Sequence, residues 1–189
     1  MYEATKVLRD EHEVILRVLH ATEATANAVE FGVEAPAQFL SDVVEFLRLY
    51  ADRQHHGKEE DLLFPELEKK GLPRSGGPVG VMLMEHQLGR AHIAKMVEAA
   101  TAYAGGDRTA GATWADAALD YVALLREHVA KENQILFVMA ERLLSTYEQA
   151  RLFAEFEGVD KNKIGKGDGE RLLQLAERLA AEAGKVVAS

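Results

Sequence analysis

The chain has 189 residues, 48% of them hydrophobic and 28% charged, with a formal net charge of −9. That length fits one domain with an appendage and a sizeable core, and the acidic balance argues against a nucleic-acid-binding face and against adsorption to anionic membranes. The absence of cysteine excludes disulfides, thiolate metal ligands, iron–sulfur clusters and a cysteine nucleophile.

The opening "MYEATKVLRDEHEV" is charged rather than basic-then-apolar, so no secretory signal is expected there. No stretch is long and apolar enough to suggest a membrane span, and a cytoplasmic protein is the default expectation. Apolar residues recur every three or four positions through four long segments, the helical period, and nowhere alternate in the strand manner. A first helix is expected over about 3–28. A second opens near Ala37, after Pro36, and runs to about Lys70. The breaker run "GLPRSGGPVG" precedes a third, which ends near Tyr103, and "AGGDRTAG" separates that from a fourth over about 113–144. Four such helices with short connections predict an all-α fold, an antiparallel up-down-up-down four-helix bundle over 1–146. A short helix over 147–156, a polar turn and an amphipathic helix carrying Leu172, Leu175 and Leu179 on one face make 147–189 an extra C-terminal helical extension packed on the outside. The turn "DKNKIGKGDGE" misses the oxygen positions of a calcium loop, and Arg171 falls where its bidentate glutamate would be.

The apolar stripes of the four helices carry polar residues where burial demands a reason. On the second helix the stripe reads Val44, Leu47, Ala51, His55, Glu59, Leu62; on the fourth, Tyr121, Leu125, His128, Glu132, Leu136, Met139. The two segments align: His55 is followed by Glu59, Leu63 and Phe64 at the spacings at which Glu132, Leu136 and Phe137 follow His128. On this alignment His55 and Glu59 are the inward members of the doublets in "HHGKEE", and His56 and Glu60 lie nearer the rim. The first and third helices add His12 and His86, giving the order H, HxxxE, H, HxxxE.

A His and a Glu one helical turn apart present neighbouring tips on one face. A single HxxxE is ordinarily a surface ion pair and a single inward histidine a hydrogen-bonded core residue. Two matched copies plus an inward histidine on each remaining helix predict a metal site of His12, His55, Glu59, His86, His128 and Glu132. Six donors exceed the four of a structural zinc. With two carboxylates able to bridge, they suit two iron ions joined by an oxo or hydroxo group, ahead of zinc or manganese. His56, Glu60, Arg90, Tyr50 and Tyr121 are candidates for outer contacts to the ligands, whereas His20 and His92 are expected off the site.

On His12, "HHGKEEDLLFPEL", "EHQLGR" and "HVAKE", the chain over about 4–144 resembles the hemerythrin-like, or HHE cation-binding, family. That resemblance implies a four-helix bundle holding a non-haem di-iron centre that meets O₂, peroxide or nitric oxide. The oxygen carriers of the family have a second histidine four residues after the third-helix one, where this chain has Arg90, and an aspartate five residues after the last motif's histidine, where it has Asn133. The order found here looks more like members with peroxide-decomposing or sensing roles, and catalase-like or iron-oxidising turnover is the leading expectation. It is also similar to the di-iron domain of iron–sulfur cluster repair proteins, which carry a cysteine-containing region. A metal or gas sensor or storage module without turnover is the alternative reading.

Overall fold

A computed structural model describes residues 4–160 and 167–186; Met1 to Glu3, where the first helix was expected to begin, and most of the polar turn before the last helix lie outside them. The described residues are helical and contain no strand. In chain order they form α1 (Ala4–Glu30), α2 (Ala37–Phe46), π1 (Leu47–His56), π2 (Glu59–Leu63), α3 (Phe64–Lys69), α4 (Gly77–Ala104), α5 (Ala110–Lys131), π3 (Glu132–Leu136), α6 (Phe137–Leu143), α7 (Thr146–Val159) and α8 (Asp168–Val186). The second and fourth expected helices are therefore continuous runs, 37–69 and 110–143, but each is interrupted by π-helical winding. Such i→i+5 turns occur mostly as local bulges and frequently at functional sites. His55, His56, Glu59 and Glu132 all lie within them.

The breaker between α3 and α4 works through Gly76 and Gly77, whose φ values of 74° and 65° are open to glycine at little cost; Pro78 then occupies the first turn of α4. Ser145 opens α7 with a reciprocal cap: its hydroxyl accepts from the Glu148 backbone N–H, and the Glu148 carboxylate accepts from Ser145.

Helix α5 packs along α1 and α4, α2 packs on α4, and α8 lies against α1 and α2. Helix α7 covers α1 and π2, with Leu152 and Phe156 buried and the Ala4 backbone N–H donating to Gln149 Oε1 at 3.1 Å. Ion pairs fix α8: Arg178 to Asp42 at 3.0 Å and Arg171 to Glu45 at 2.9 Å. The apolar interior is divided in two. One core gathers Ile15, Ala51, Ile93 and Leu125, the other Leu8, Leu63, Met82 and Leu136. Between them every one of the four long runs places a polar layer: His12 between Leu8 and Ile15, His55 to Glu59 between Ala51 and Leu63, His86 between Met82 and Ile93, and His128 to Glu132 between Leu125 and Leu136.

Candidate metal centre

The layer is dry. His12, His55, His56, Glu59, His86, His128 and Glu132 are each at most 3% exposed. Their donor atoms fall into two groups, His12, His55, Glu59 and Glu132 in one and His56, Glu59, His86 and His128 in the other, with all ligand atoms in a group within 4.8 Å of one another. Both carboxylates reach across. Glu59 lies 3.7 Å from His55 Nε2 through one oxygen and 3.5 Å from His86 Nε2 through the other. Glu132 likewise lies 3.1 Å from His12 Nε2 and 3.3 Å from His128 Nε2.

The six predicted donors thus come together, and His56 joins them. The expectation that His56 sits nearer the rim is corrected: its ring is buried and stacked on that of His86, with centroids 3.8 Å apart. That expectation assumed the α-helical angular step. The looser π winding of Leu47–His56 narrows the angle between neighbours, and both members of the doublet turn inward. Glu60 does stay nearer the rim, half-buried.

A ring of acceptors behind the histidines fixes which nitrogen faces the centre. His55 Nδ1 meets Glu11 at 2.9 Å, His86 Nδ1 meets Glu60 at 2.6 Å and His128 Nδ1 meets Glu85 at 2.9 Å. His12 Nδ1 meets Asn133 Oδ1 at 3.0 Å, and that atom also accepts from Arg9, so it is the amide oxygen and His12 donates. His56 Nδ1 faces Asp52 at 3.5 Å. Ionised carboxylates only accept, so the outward nitrogens carry the protons and the inward Nε2 atoms present lone pairs, the arrangement that orients histidine ligands of metals. Each acceptor is in turn held by a cation: Glu11 by Lys58, Asp52 and Glu60 by Arg90, Glu85 by Lys131, and Asn133 by Arg9.

Tyr50 stacks on Phe46 with centroids 5.0 Å apart. Tyr121 is fully buried, and its hydroxyl has no hydrogen-bond partner. His20 is exposed, and His92 faces Asp120 at 3.8 Å.

The outer residues Glu11, Asp52, Lys58, Glu85 and Lys131 were not singled out from the sequence. A signal for two of them exists: Glu11–His12 and Glu85–His86 are Glu-His dipeptides in which the histidine turns inward while the glutamate holds a histidine of another helix. A third such dipeptide, Glu127–His128, leaves its glutamate in solvent, so the pair alone does not identify an outer ligand.

The electrostatics suit a cation. Burial, then neighbouring imidazoles, pushes His55 well below the ordinary histidine value and His56 down to about 3. Burial also lowers His86, against the opposing pull of Glu60. Burial and repulsion from Glu132 raise Glu59, while Glu132 is held low because His128 and His12 more than offset its burial. The residues fit a metal on a separate observation: His12 Nε2, His55 Nε2 and all four oxygens of Glu59 and Glu132 are buried without a hydrogen-bond partner. His86 Nε2 and His128 Nε2, both lone-pair bearing, face each other at 3.2 Å. Buried polar atoms left this way are costly, and an ion accepting all of them removes the cost.

These groups also set an acid limit for the metal-free protein. Where His55, His56 and His86 titrate below their ordinary 6.5, the unfolded chain binds protons first and stability falls as pH drops below that value. Glu11 and Glu59, raised above 4.5, act in the opposite sense and soften the fall. Below 4.5 that offset is complete. Asp52 and Glu60, brought to about 2 by His56, His86 and Arg90 against the effect of burial, then add to the loss. Thermal unfolding of the metal-free protein at several pH values should therefore show a shallow decline below 6.5 and a steep one below 4.5.

Packed helices that converge buried imidazoles on two shared carboxylates define a cation-binding helical protein. The chain belongs to the hemerythrin family, whose HHE cation-binding domain profile matches residues 3–140. Uncharacterized proteins of Mycobacterium bovis and of Mycobacterium tuberculosis strain H37Rv are each 26% identical to it over 163 residues, covering 86% of this chain and 63% of theirs. The chain thus spans less than two thirds of the length of these curated relatives. No solved structure gives a significant match.

Proposed function

We propose that the chain binds two iron ions in this layer and that the centre engages O₂, peroxide or nitric oxide, with catalase-like or iron-oxidising turnover. In this reading residues 1–146 form an antiparallel four-helix bundle carrying the centre, 147–189 are its helical extension, and the protein works in the cytoplasm. No helix of the described residues is long and apolar enough to cross a membrane. One observation carries the reading: inward-facing histidine nitrogens surround two carboxylates, each of which spans both donor groups. Seven donors exceed the four of a structural zinc, and mixed imidazole and carboxylate ligation accommodates iron.

Bound iron would supply electrons to an oxygen-derived ligand and Lewis acidity toward it. The protein's part is to keep the imidazoles neutral and aimed, hold protons on the outer nitrogens, and exclude bulk water. A cavity of about 250 Å³ lined by Gly77, Pro78, Val81, Met82, Lys131, Ile135 and Leu136 supports a small, uncharged ligand. Two of its lining residues, Met82 and Leu136, stand one helical turn from His86 and Glu132, and apart from Lys131 the lining is apolar.

The test is anaerobic loading with Fe(II) followed by peroxide. A visible charge-transfer band and oxygen evolution are the expected results; loading without either would remove the redox part. A sensor or storage role without turnover is favoured by the seating of α7 against π2, beside the centre. In that case loading would proceed without oxygen evolution while hydrogen-exchange protection of α7 rose.

A further inference from the structure

Lys58 is a fully buried lysine, 0% exposed, between π1 and π2. An ammonium in the interior requires opposite charge close by, and two carboxylates supply it: Glu11 of α1 and Asp160, which caps the C-terminal end of α7 and lies 2.7 Å away. Lys58 and the Gln54 amide engage one oxygen of Glu11, and the other oxygen meets His55 Nδ1. An Asp160–Lys58 ion pair followed by the hydrogen bonds Lys58–Glu11 and Glu11–His55 therefore runs from the end of α7 to one donor of the His12, His55, Glu59 and Glu132 group. The other cations behind the centre differ: the side chains of Arg9, Arg90 and Lys131 are 32%, 32% and 36% exposed, so water can replace a lost partner. Lys58 has no such recourse.

We infer that Lys58 and Asp160 are positioning residues for one half of the centre, so that α7 must be seated for the His12/His55 group to hold its metal tightly. The inference rests on the reading of these donors as metal ligands. Without Asp160, Glu11 is the one carboxylate left to balance the buried ammonium; Lys58 then pulls on Glu11 alone, and a shift of that carboxylate toward Lys58 releases the orientation of the His55 ring. The histidines of the second group take their orientation from Asp52, Glu60 and Glu85 rather than from the Lys58–Glu11 pair.

The experiment is competition of Fe(II)-loaded protein against a chromogenic chelator, resolving the release of each ion, in wild type, Asp160→Asn, Asp160→Glu and Glu148→Gln. Asp160 is 39% exposed, so the asparagine variant should fold; Lys58→Met serves as a second variant, read in the same way. In Asp160→Asn one ion is expected to weaken about tenfold or more, the range seen for outer partners of metal ligands, while the other keeps its wild-type affinity. Asp160→Glu should restore the weakened ion. Glu148→Gln weakens the cap at the opposite end of α7 and its 2.9 Å pair with Lys70 but leaves the Asp160–Lys58 pair in place, so both ions should keep their wild-type affinity. Equal retention of both ions in Asp160→Asn, or equal loss of both, overturns the inference while leaving the metal reading intact. A wild type that takes up no metal overturns both.

Discussion

Replacing Glu59 by glutamine is expected to abolish tight binding of both ions yet leave the metal-free protein at least as stable as wild type. Glu59 belongs to both donor groups, so its loss removes a ligand from each and the link between them. Without metal its carboxylate is a liability: fully buried, with neither oxygen hydrogen-bonded and with Glu132 repelling it. A glutamine of the same shape carries no charge, and its NH2 can donate toward the lone pair of one of the two histidines, His55 or His86, which lie 3.7 and 3.5 Å from different oxygens of the present carboxylate. Relief on the order of 1 kcal/mol would raise the metal-free melting temperature by about 2–4 °C in a chain of this size. Metal analysis together with calorimetry of chelator-treated protein reads both halves of the prediction. A variant that loses metal and also melts several degrees lower would mean that Glu59 has a structural role instead. Stability gained on removing a functional group is the expected signature of a site held against its own repulsion.

Phe137→Ala carries the largest expected cost in stability. The ring is fully buried in the core next to α7, stacked on His12 with centroids 5.4 Å apart and an interplanar angle of 13°, and the guanidinium of Arg9 lies 5.4 Å from its centroid. Truncating a buried phenylalanine costs about 3–5 kcal/mol through lost transfer energy and the cavity left behind. Here the same ring also clamps two residues of α1 that matter to the centre: His12 itself, and Arg9, which steadies the Asn133 oxygen behind it. Denaturant unfolding should show the loss, and the iron that remains should be held more weakly on the His12 side. Phe137→Leu, which keeps most of the volume, should recover much of the stability and leave His12 without its stacked face. The pair of variants therefore separates packing from ligand orientation.

The helical runs and their inward faces were legible in the sequence because burial acts on every turn of them. The internal match of His55, Glu59, Leu63 and Phe64 with His128, Glu132, Leu136 and Phe137 is what located the polar layer. In the structure all eight of these side chains are buried. His56 was misjudged for a physical reason. Its position was read on an α-helical wheel, and nothing in "LRLYADRQHH" announces the π winding that turns adjacent residues toward one face. Lys58 was illegible for another reason. A lysine that opens the charged run Lys58 to Asp61 reads as a solvated charge, and only the arrival of α7 from a hundred residues further along the chain supplies the Asp160 carboxylate and the Phe156 ring that enclose it. Outer partners such as Glu11 and Glu85 act on histidines of other helices, so no spacing within one helix reveals them.

If seven buried side chains on four helical runs hold a pair of ions between them, diffraction from iron-loaded crystals recorded on either side of the iron absorption edge will locate both ions. Two anomalous peaks are expected, one contacted by His12, His55, Glu59 and Glu132 and the other by His56, Glu59, His86 and His128, with Glu59 common to both. A single peak, or iron bound anywhere outside this layer, would contradict a two-ion centre.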